Sequence, residues 1–226
     1  MKRTTKLISG AIAIASLSAT PLMADSASFA GPYIGVQGSA IGVEMDGNHN
    51  DTTGTVTTGT IGKFALIAGA ELGYAYPVNE SFLIDIGANY VDGDATITSS
   101  SDRASGNDKV TFSIGDHYTI YIAPTVAISE TSSLYFKFGI SEADASASSN
   151  VTAPGDLSGE TYAIGSRTML PSGVFIRTEA GFSEYDKITV SGTTANANPQ
   201  TGVSTLTKVT ADPTIAFGNV SIGYKF

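Results

Sequence analysis

The stretch FALIAGAELGYAY, Phe64–Tyr76, alternates between two kinds of residue over its whole length. Its even positions are all Phe, Leu, Ala or Tyr, whereas its odd positions include Gly69, Glu71 and Gly73. A repeat of two residues is the period of a β-strand, because successive side chains point to opposite faces. The stretch is therefore predicted to be a strand with one apolar face and one small or charged face.

Seven further runs repeat this pattern, and helical periodicity is missing between them. The last run begins near Thr214 and ends the chain, with Val220, Ile222, Tyr224 and Phe226 on one face. Chain ends fray unless a neighbour ties them down, so an apolar terminal strand predicts a partner strand. The other six runs lie at residues 33–43, 82–90, 117–128, 134–141, 162–170 and 174–183.

The connections between the runs fall into two classes that alternate strictly along the chain. In a series of antiparallel strands, this order places every long loop at one end and both chain termini at the other. We therefore predict an all-β fold, an eight-stranded antiparallel up-and-down barrel with four long loops and three short turns. The short connections are PVNES, SETSS and LPSG, and the long polar ones centre on Asp46–Thr60, Thr98–Lys109, Ala143–Gly159 and Lys187–Thr207.

The first 24 residues have the pattern of a secretory signal peptide. Lys2, Arg3 and Lys6 precede the apolar run LISGAIAIASLSA, which is too short to span a bilayer as a helix. Ala24 offers a small residue for cleavage, although cleavage after Ala30 remains an alternative. We expect a signal peptide at 1–24 and a single barrel domain at 25–226.

Composition narrows the class of protein. Without the three cations of the signal peptide, nine Lys and Arg face 21 Asp and Glu, which argues against a nucleic-acid partner. Cysteine is absent, which excludes disulfides, thiolate metal ligands and a cysteine nucleophile. Small exported soluble domains often use disulfides, so the absence of cysteine argues mildly against that class of protein.

The aromatic residues indicate which face is outward. On the apolar face they lie near the strand ends, where the interfacial girdles of a membrane barrel are found. A soluble barrel would instead turn its apolar face inward. The predicted girdle comprises Phe64, Tyr74, Tyr76, Phe82, Tyr90, Tyr118, Phe182 and Tyr224.

The polar face has the composition of a narrow lumen. It is rich in glycine, which weakens a water-facing strand but suits the interior of a small barrel. Its charges are balanced although the whole chain is acidic, as expected where charges are enclosed and must be paired. The predicted lumen network consists of Glu71, Asp85 and Glu179 with Lys137, Arg167 and Arg177, with Glu71–Arg177 and Glu179–Lys137 as pairs.

Four motifs, GPYIGVQ, AGAELGYAY, FIRTEAGF and the final IGYKF, resemble the OmpA/OmpX-type eight-stranded outer-membrane barrels. The resemblance covers about residues 31–226 and implies a Gram-negative outer membrane, with short turns in the periplasm and long loops outside the cell. It also implies that Tyr224 and Phe226 are recognised by the barrel-assembly machinery. In this family lumen charges form a blocking network, and Glu71, Arg177, Glu179 and Lys137 match such sites. Tryptophan is absent here, and Pro124 departs from the pattern inside the fourth strand.

These observations favour a monomeric barrel in contact with outer-membrane lipid, with a plugged lumen and a structural or surface-interacting role. An extracellular ligand at the loops is left open. One alternative is a narrow passive pore. A second is a membrane-embedded, lipid-modifying enzyme, for which His49 and His117 are the only histidines. No catalytic set, cofactor motif or metal site is predicted, because DGNHND, Asp46–Asp51, lacks the Gly and Glu of a calcium loop.

Overall fold

The computed structural model describes residues 25–50, 56–99, 110–147, 152, 154–194 and 205–226. Within these ranges no helix is long and apolar enough to cross a bilayer. Short 3-10 helices lie at Ser26–Ser28 and Pro171–Gly173. The strands are β1 (Gly31–Asn50), β2 (Val56–Pro77), β3 (Phe82–Asp92), β4 (Ala95–Ser99), β5 (Val110–Ala127), β6 (Ser132–Ala147), β7 (Leu157–Met169), β8 (Val174–Tyr185), β9 (Ile188–Thr194) and β10 (Thr205–Lys225).

Eight of these strands close into an antiparallel barrel in the order β1-β2-β3-β5-β6-β7-β8-β10. β10 then pairs with β1, from Tyr33 opposite Lys225 to Asn50 opposite Lys208. The short β4 pairs with β5 beyond the end of β3, and β9 pairs with β10 beyond the end of β8. The predicted eight-stranded barrel is confirmed, and β1 is the partner that ties down the C-terminal strand.

The three short turns lie at one end of the barrel, together with both ends of the described chain. Two of these turns are held by a side chain of their own. Asn79 Oδ1 accepts hydrogen bonds from the backbone N–H groups of Ser81 and Phe82, both at 3.0 Å. Ser129 Oγ likewise accepts from Ser132 N at 2.9 Å. Asn and Ser favour tight turns because their side chains can replace a backbone acceptor in this way.

The apolar face of the barrel is outward and the polar face is inward. The outward residues Leu66 and Ile140 are 77% and 70% exposed, whereas the inward Glu71 and Arg177 are 3% and 1% exposed. In water this would be an unfavourable arrangement, but it suits a lipid-facing wall. The predicted polar lumen is therefore confirmed.

Inward glycines receive aromatic rings from the neighbouring strand. At Gly165, a Cβ atom would lie 2.2 Å from the hydroxyl oxygen of Tyr135, its direct cross-strand partner. The absent side chain lets each ring lie flat on the wall, which is the physical reason for a glycine-rich lumen. The four such pairs are Tyr33 with Gly73, Tyr121 with Gly87, Tyr135 with Gly165 and Phe175 with Gly223.

The four long connections contain more strand than the sequence predicts. β1 and β2 stay paired as far as Asn50 opposite Val56, inside the segment expected to be a loop. β4, β9 and the loop-end parts of β5, β6 and β10 extend the wall in the same way. In these loop-end extensions the outward face is polar and the inward face is apolar. This is the reverse of the arrangement in the parts of the strands that form the apolar band.

In β5, a β-bulge prevents this reversal of the two faces from being recognised in the sequence. The register between β5 and β6 shifts between Gly115 and His117. The extra residue turns Phe112 and Ile114 into the lumen, where they are 6% and 3% exposed. Without the bulge their even numbers would place them on the outward face with Tyr118 and Ile120.

Pro124 causes no bulge. It lies opposite Ile84 of β3, and the β5–β6 register is the same on both sides of it, at Ile122 opposite Phe138 and Thr125 opposite Tyr135. Ala123 and Pro124 themselves make no pair with β6. The missing N–H of proline is therefore accommodated by a local gap in the ladder near the turn end.

Candidate functional site

The lumen contains a charged layer, a row of hydroxyl groups and two apolar clusters. The charged layer in the middle consists of Glu71, Asp85, Lys137, Arg167, Arg177 and Glu179, which are the six charged residues expected there; each is at most 7% exposed. On either side lies an apolar cluster. Every second side chain of a strand points into the lumen. Inward residues of neighbouring strands that lie at the same level along the barrel axis therefore form one layer.

Arg177 is the centre of the charged layer. Its Nη1 lies 2.7 Å from Glu71 Oε2 and its Nη2 lies 3.5 Å from Asp85 Oδ2. The same Asp85 oxygen lies 2.8 Å from Nη2 of Arg167. Four residues from β2, β3, β7 and β8 are thus joined across the lumen.

Lys137 and Glu179 form a second ion pair. Lys137 Nζ lies 2.5 Å from Glu179 Oε2. The same carboxylate accepts hydrogen bonds from the Tyr135 hydroxyl at 2.9 Å and from Asn219 Nδ2 at 3.3 Å. Both pairs expected from the sequence, Glu71–Arg177 and Glu179–Lys137, are present in the structure.

Three tyrosines surround the cations. The Tyr33 and Tyr121 hydroxyls are 2.8 Å apart, and Arg177 Nη1 donates to Tyr121 at 3.1 Å. Arg167, Arg177 and Lys137 lie 4.5, 4.6 and 4.2 Å from the ring centroids of Tyr33, Tyr135 and Tyr121, respectively. Cations are attracted to aromatic faces when water is excluded. No role is predicted for these tyrosines from the sequence. Alternation along their strands places them on the polar face, but it does not show which cation each ring would meet.

A row of hydroxyl groups borders the charged layer on the loop side. Thr119 and Ser141 are 2.7 Å apart, Ser141 and Thr161 2.5 Å, and Thr161 and Ser183 2.6 Å. Each of the four is buried, and together they link β5, β6, β7 and β8. No sequence pattern identifies this row, because single serines and threonines are common throughout the chain.

The loop-end cluster lies in the lumen beyond the hydroxyl row. It consists of Ile41, Val43, Ala95, Phe112, Ile114, Ala143, Leu157, Tyr185, Ala211 and Ile215. Between this cluster and the charged layer lies a cavity of about 30 Å³, which Lys137, Glu179 and Asn219 help to line.

The turn-end cluster lies at the opposite end of the lumen. It consists of Phe29, Tyr33, Ala75, Leu83, Ala127, Met169 and Phe175. Phe29 comes from the segment before β1 and is fully buried. No sequence pattern predicts this contact, because a single aromatic residue outside any alternating run has no predicted face.

The described girdle residues lie on the outside of the barrel, near both ends of the apolar band. Tyr74, Tyr76, Tyr90, Tyr118, Phe182 and Tyr224 are all at least 41% exposed, and Phe82 is partly exposed. The side chain of Phe64 lies outside the described part of the structure. Phe138 and Tyr162, which were not predicted, complete a row with Phe182, with ring centroids 5.9 and 5.6 Å apart.

The two histidines are placed differently. His117 is directed into the barrel, with its ring centroid 6.2 Å from that of Tyr185. It also lines the cavity below the loop-end cluster. The side chain of His49 and the end of the Asp46–Asp51 motif lie outside the described residues.

A closed strand barrel with an outward apolar band and a buried, ion-paired lumen defines an integral outer-membrane barrel. The chain belongs to the family of the outer membrane protein beta-barrel domain, whose model matches residues 9–226. It is a protein of the Gram-negative outer membrane. Among curated protein sequences, none matches the chain significantly.

Several solved structures of low sequence identity are similar to the chain. OprG of Pseudomonas aeruginosa is 15% identical, with a TM-score of 0.50, over 91% of this chain and 99% of that one. The protease OmpT of Escherichia coli is 10% identical, with a TM-score of 0.51, over 87% and 97%. Ail, the attachment invasion locus protein of Yersinia pestis, is 14% identical, with a TM-score of 0.38, over 81% and 98%.

Proposed function

We propose that the protein is a closed-lumen barrel with a structural or surface-interacting role in the outer membrane. The observation that carries this proposal is the layered lumen, in which ion-paired charges lie between two apolar clusters. An ion crossing it would have to displace a buried, paired charge and then pass an apolar layer, and both steps are costly.

Planar-bilayer recording of the purified protein tests this proposal. We expect no steady conductance steps from the native chain. The double variant Glu71→Ala with Arg177→Ala, which removes the central ion pair, provides a barrel with a more open lumen for comparison. It should show irregular leakage of ions. Steady, defined steps from the native chain would overturn the closed-lumen proposal and favour the narrow pore.

An enzymatic role has weaker support. OmpT is a protease, but at 10% identity it shows only a shared fold. His117 lies inside the barrel against Tyr185, not on the lipid-facing rim where a lipid-modifying residue would be needed. We expect His49→Ala and His117→Ala to leave the lipid composition of the host membrane unchanged; an altered lipid profile would restore the enzyme alternative.

The partners follow from the same proposal. The outward apolar band contacts outer-membrane lipid, and the C-terminal strand, with Tyr224 and Phe226, is the signal for the barrel-assembly machinery. We propose a monomer whose loops carry the contacts with an extracellular ligand. Cross-linking in intact membranes tests the oligomeric state, since a specific dimer band would contradict the monomer.

A further inference from the structure

The segment before β1, Asp25–Ala30, folds across the turn end of the barrel. It contains the 3-10 helix Ser26–Ser28, whose first turn is capped by Asp25 Oδ1 accepting from Ala27 N at 2.9 Å. Phe29 follows this helix and is 0% exposed. A short polar segment therefore directs one large apolar side chain into the lumen.

The turn-end cluster that contains Phe29 draws its residues from most of the barrel wall. Its other members are Tyr33, Ala75, Leu83, Ala127, Met169 and Phe175. These residues belong to β1, β2, β3, β5, β7 and β8, so the cluster that contains Phe29 joins six of the eight barrel strands at the turn end.

The segment is attached to the barrel differently from a strand. Ser26 N donates to Glu80 O at 2.7 Å, and Ser26 Oγ donates to Asn79 O at 2.6 Å, so one residue fastens it to the β2–β3 turn. Gly31, the first residue of β1 and the next after the segment, has a φ of +119°, a conformation that favours glycine. We call Gly31 the hinge and the two Ser26 hydrogen bonds the latch. Because the latch, and not a strand ladder, attaches the segment to the turn, the segment can be displaced without breaking the hydrogen bonds between the strands.

The charged layer begins directly behind this cluster. The Arg167 guanidinium lies 5.3 Å from the ring centroid of Phe175 and 2.8 Å from Asp85. We propose that Asp25–Ala30 is a hinged stopper, in which Phe29 separates the charged layer from periplasmic water. This goes beyond the closed-lumen role, because it assigns the periplasmic seal to one displaceable side chain and not to the wall.

Cysteine accessibility tests the stopper, since the natural chain has no cysteine. Ala127→Cys places a thiol in the turn-end cluster, where Ala127 is 4% exposed. Glu80→Cys places one on the exposed turn as the matched reporter. Each single-cysteine protein is reconstituted in lipid nanodiscs and treated with a charged methanethiosulfonate reagent.

We expect the thiol at position 127 to react at least about tenfold more slowly than the thiol at position 80. Adding Phe29→Ala should remove most of this difference by accelerating the reaction at position 127 alone, whereas Phe29→Leu should preserve the protection. Folding of each variant is checked by its heat-dependent gel mobility. If Phe29→Ala does not assemble, Ser26→Ala removes one latch bond and should give a smaller acceleration.

Two kinds of result would overturn the stopper. One is a labelling result, either rapid labelling at position 127 with Phe29 in place or continued protection in folded Phe29→Ala or Ser26→Ala protein. The other is a mature chain that begins at Gly31, since cleavage after Ala30 would remove the segment; the mass of the protein isolated from outer membranes decides this. The labelling result is independent of conductance, so each proposal can fail alone.

Discussion

Arg177 shows what a single enclosed charge contributes to this barrel. It is 1% exposed, pairs with Glu71 and Asp85, and lies against the Tyr135 ring. Removing one partner of a buried ion pair leaves the others uncompensated, at a cost of about 3–5 kcal/mol. We therefore expect Arg177→Ala to lower the unfolding temperature in detergent clearly, as measured by heat-dependent gel mobility.

Lys187→Ala is the matched control for this prediction. Lys187 Nζ lies 2.9 Å from Asp212 Oδ2, but the two side chains are 58% and 55% exposed. Exposed ion pairs contribute little, so this variant should unfold near the native temperature. Equal behaviour of the two variants would mean that the lumen charges are hydrated and not dependent on their pairing.

The glycine that faces Tyr135 provides a second prediction for single residues. A methyl group at Gly165 would collide with the Tyr135 hydroxyl and with Thr178 O, which belongs to the backbone and cannot move aside. Overpacking of this kind costs about 1–3 kcal/mol. Gly165→Ala should therefore lower the unfolding temperature.

Gly38→Ala is the corresponding control, because a Cβ at Gly38 would meet nothing within 4 Å. Glycine weakens a strand interior, so this outward substitution should be neutral or mildly stabilising. If both alanine variants lost stability equally, the cost would belong to the strand backbone and not to the ring on the wall.

For the elements, the hydroxyl row gives the sharpest test of what fixes the strands to one another. Ser141 lies between Thr119 and Thr161, and all three are buried. Ser141→Ala should leave two buried hydroxyls short of a partner, with a loss of about 1–3 kcal/mol. Unfolding in urea after reconstitution measures this change.

Ser166→Ala removes a similar hydroxyl contact from the outer face. Ser166 Oγ and Thr178 Oγ1 are 2.9 Å apart across β7 and β8, in an exposed position. Its loss should have little effect. Should Ser166→Ala prove as harmful as Ser141→Ala, burial would not be what makes the inner row important.

The strands show which part of the fold can be predicted from alternation in the sequence and which part cannot. Within the apolar band, alternation in Phe64–Tyr76 or Val220–Phe226 follows directly from lipid on one side and a polar lumen on the other. Beyond the band both conditions change, and the β5 bulge at Gly115–His117 moves Phe112 and Ile114 inward. Because one inserted residue reverses the faces of the side chains on one side of it relative to the other, no local pattern reveals it.

For the whole molecule, the most informative sequence signal is the equal number of acidic and basic residues on the polar face of the strands. Three acids and three bases on one face of an acidic chain predicted an enclosed lumen, and all six lie there as ion pairs. The tyrosines around them and the Phe29 contact depend on which strands become neighbours. That information exists only after closure, when β10 meets β1.

Closure also makes the C-terminal residue a test of assembly. Phe226 N donates to Pro32 O at 3.0 Å, and the Phe226 ring lies 5.2 Å from that of Tyr224 in an edge-on arrangement. Yet the residue is 71% exposed, so it contributes little to the packed structure. Deleting Phe226 should therefore reduce the amount of barrel that reaches the outer membrane far more than it lowers the unfolding temperature of the barrel that does assemble.

Two measurements on the same membranes separate these effects. The amount of protein with heat-dependent mobility reports assembly, and its melting profile reports stability. Phe226→Tyr, which keeps an exposed aromatic ring at the terminus, is the control and should assemble normally. A normal yield with a much lower melting temperature after deletion would mean that Phe226 acts by holding β10 to β1, because the stability of the closed barrel, and not its recognition during assembly, would then depend on the terminal residue.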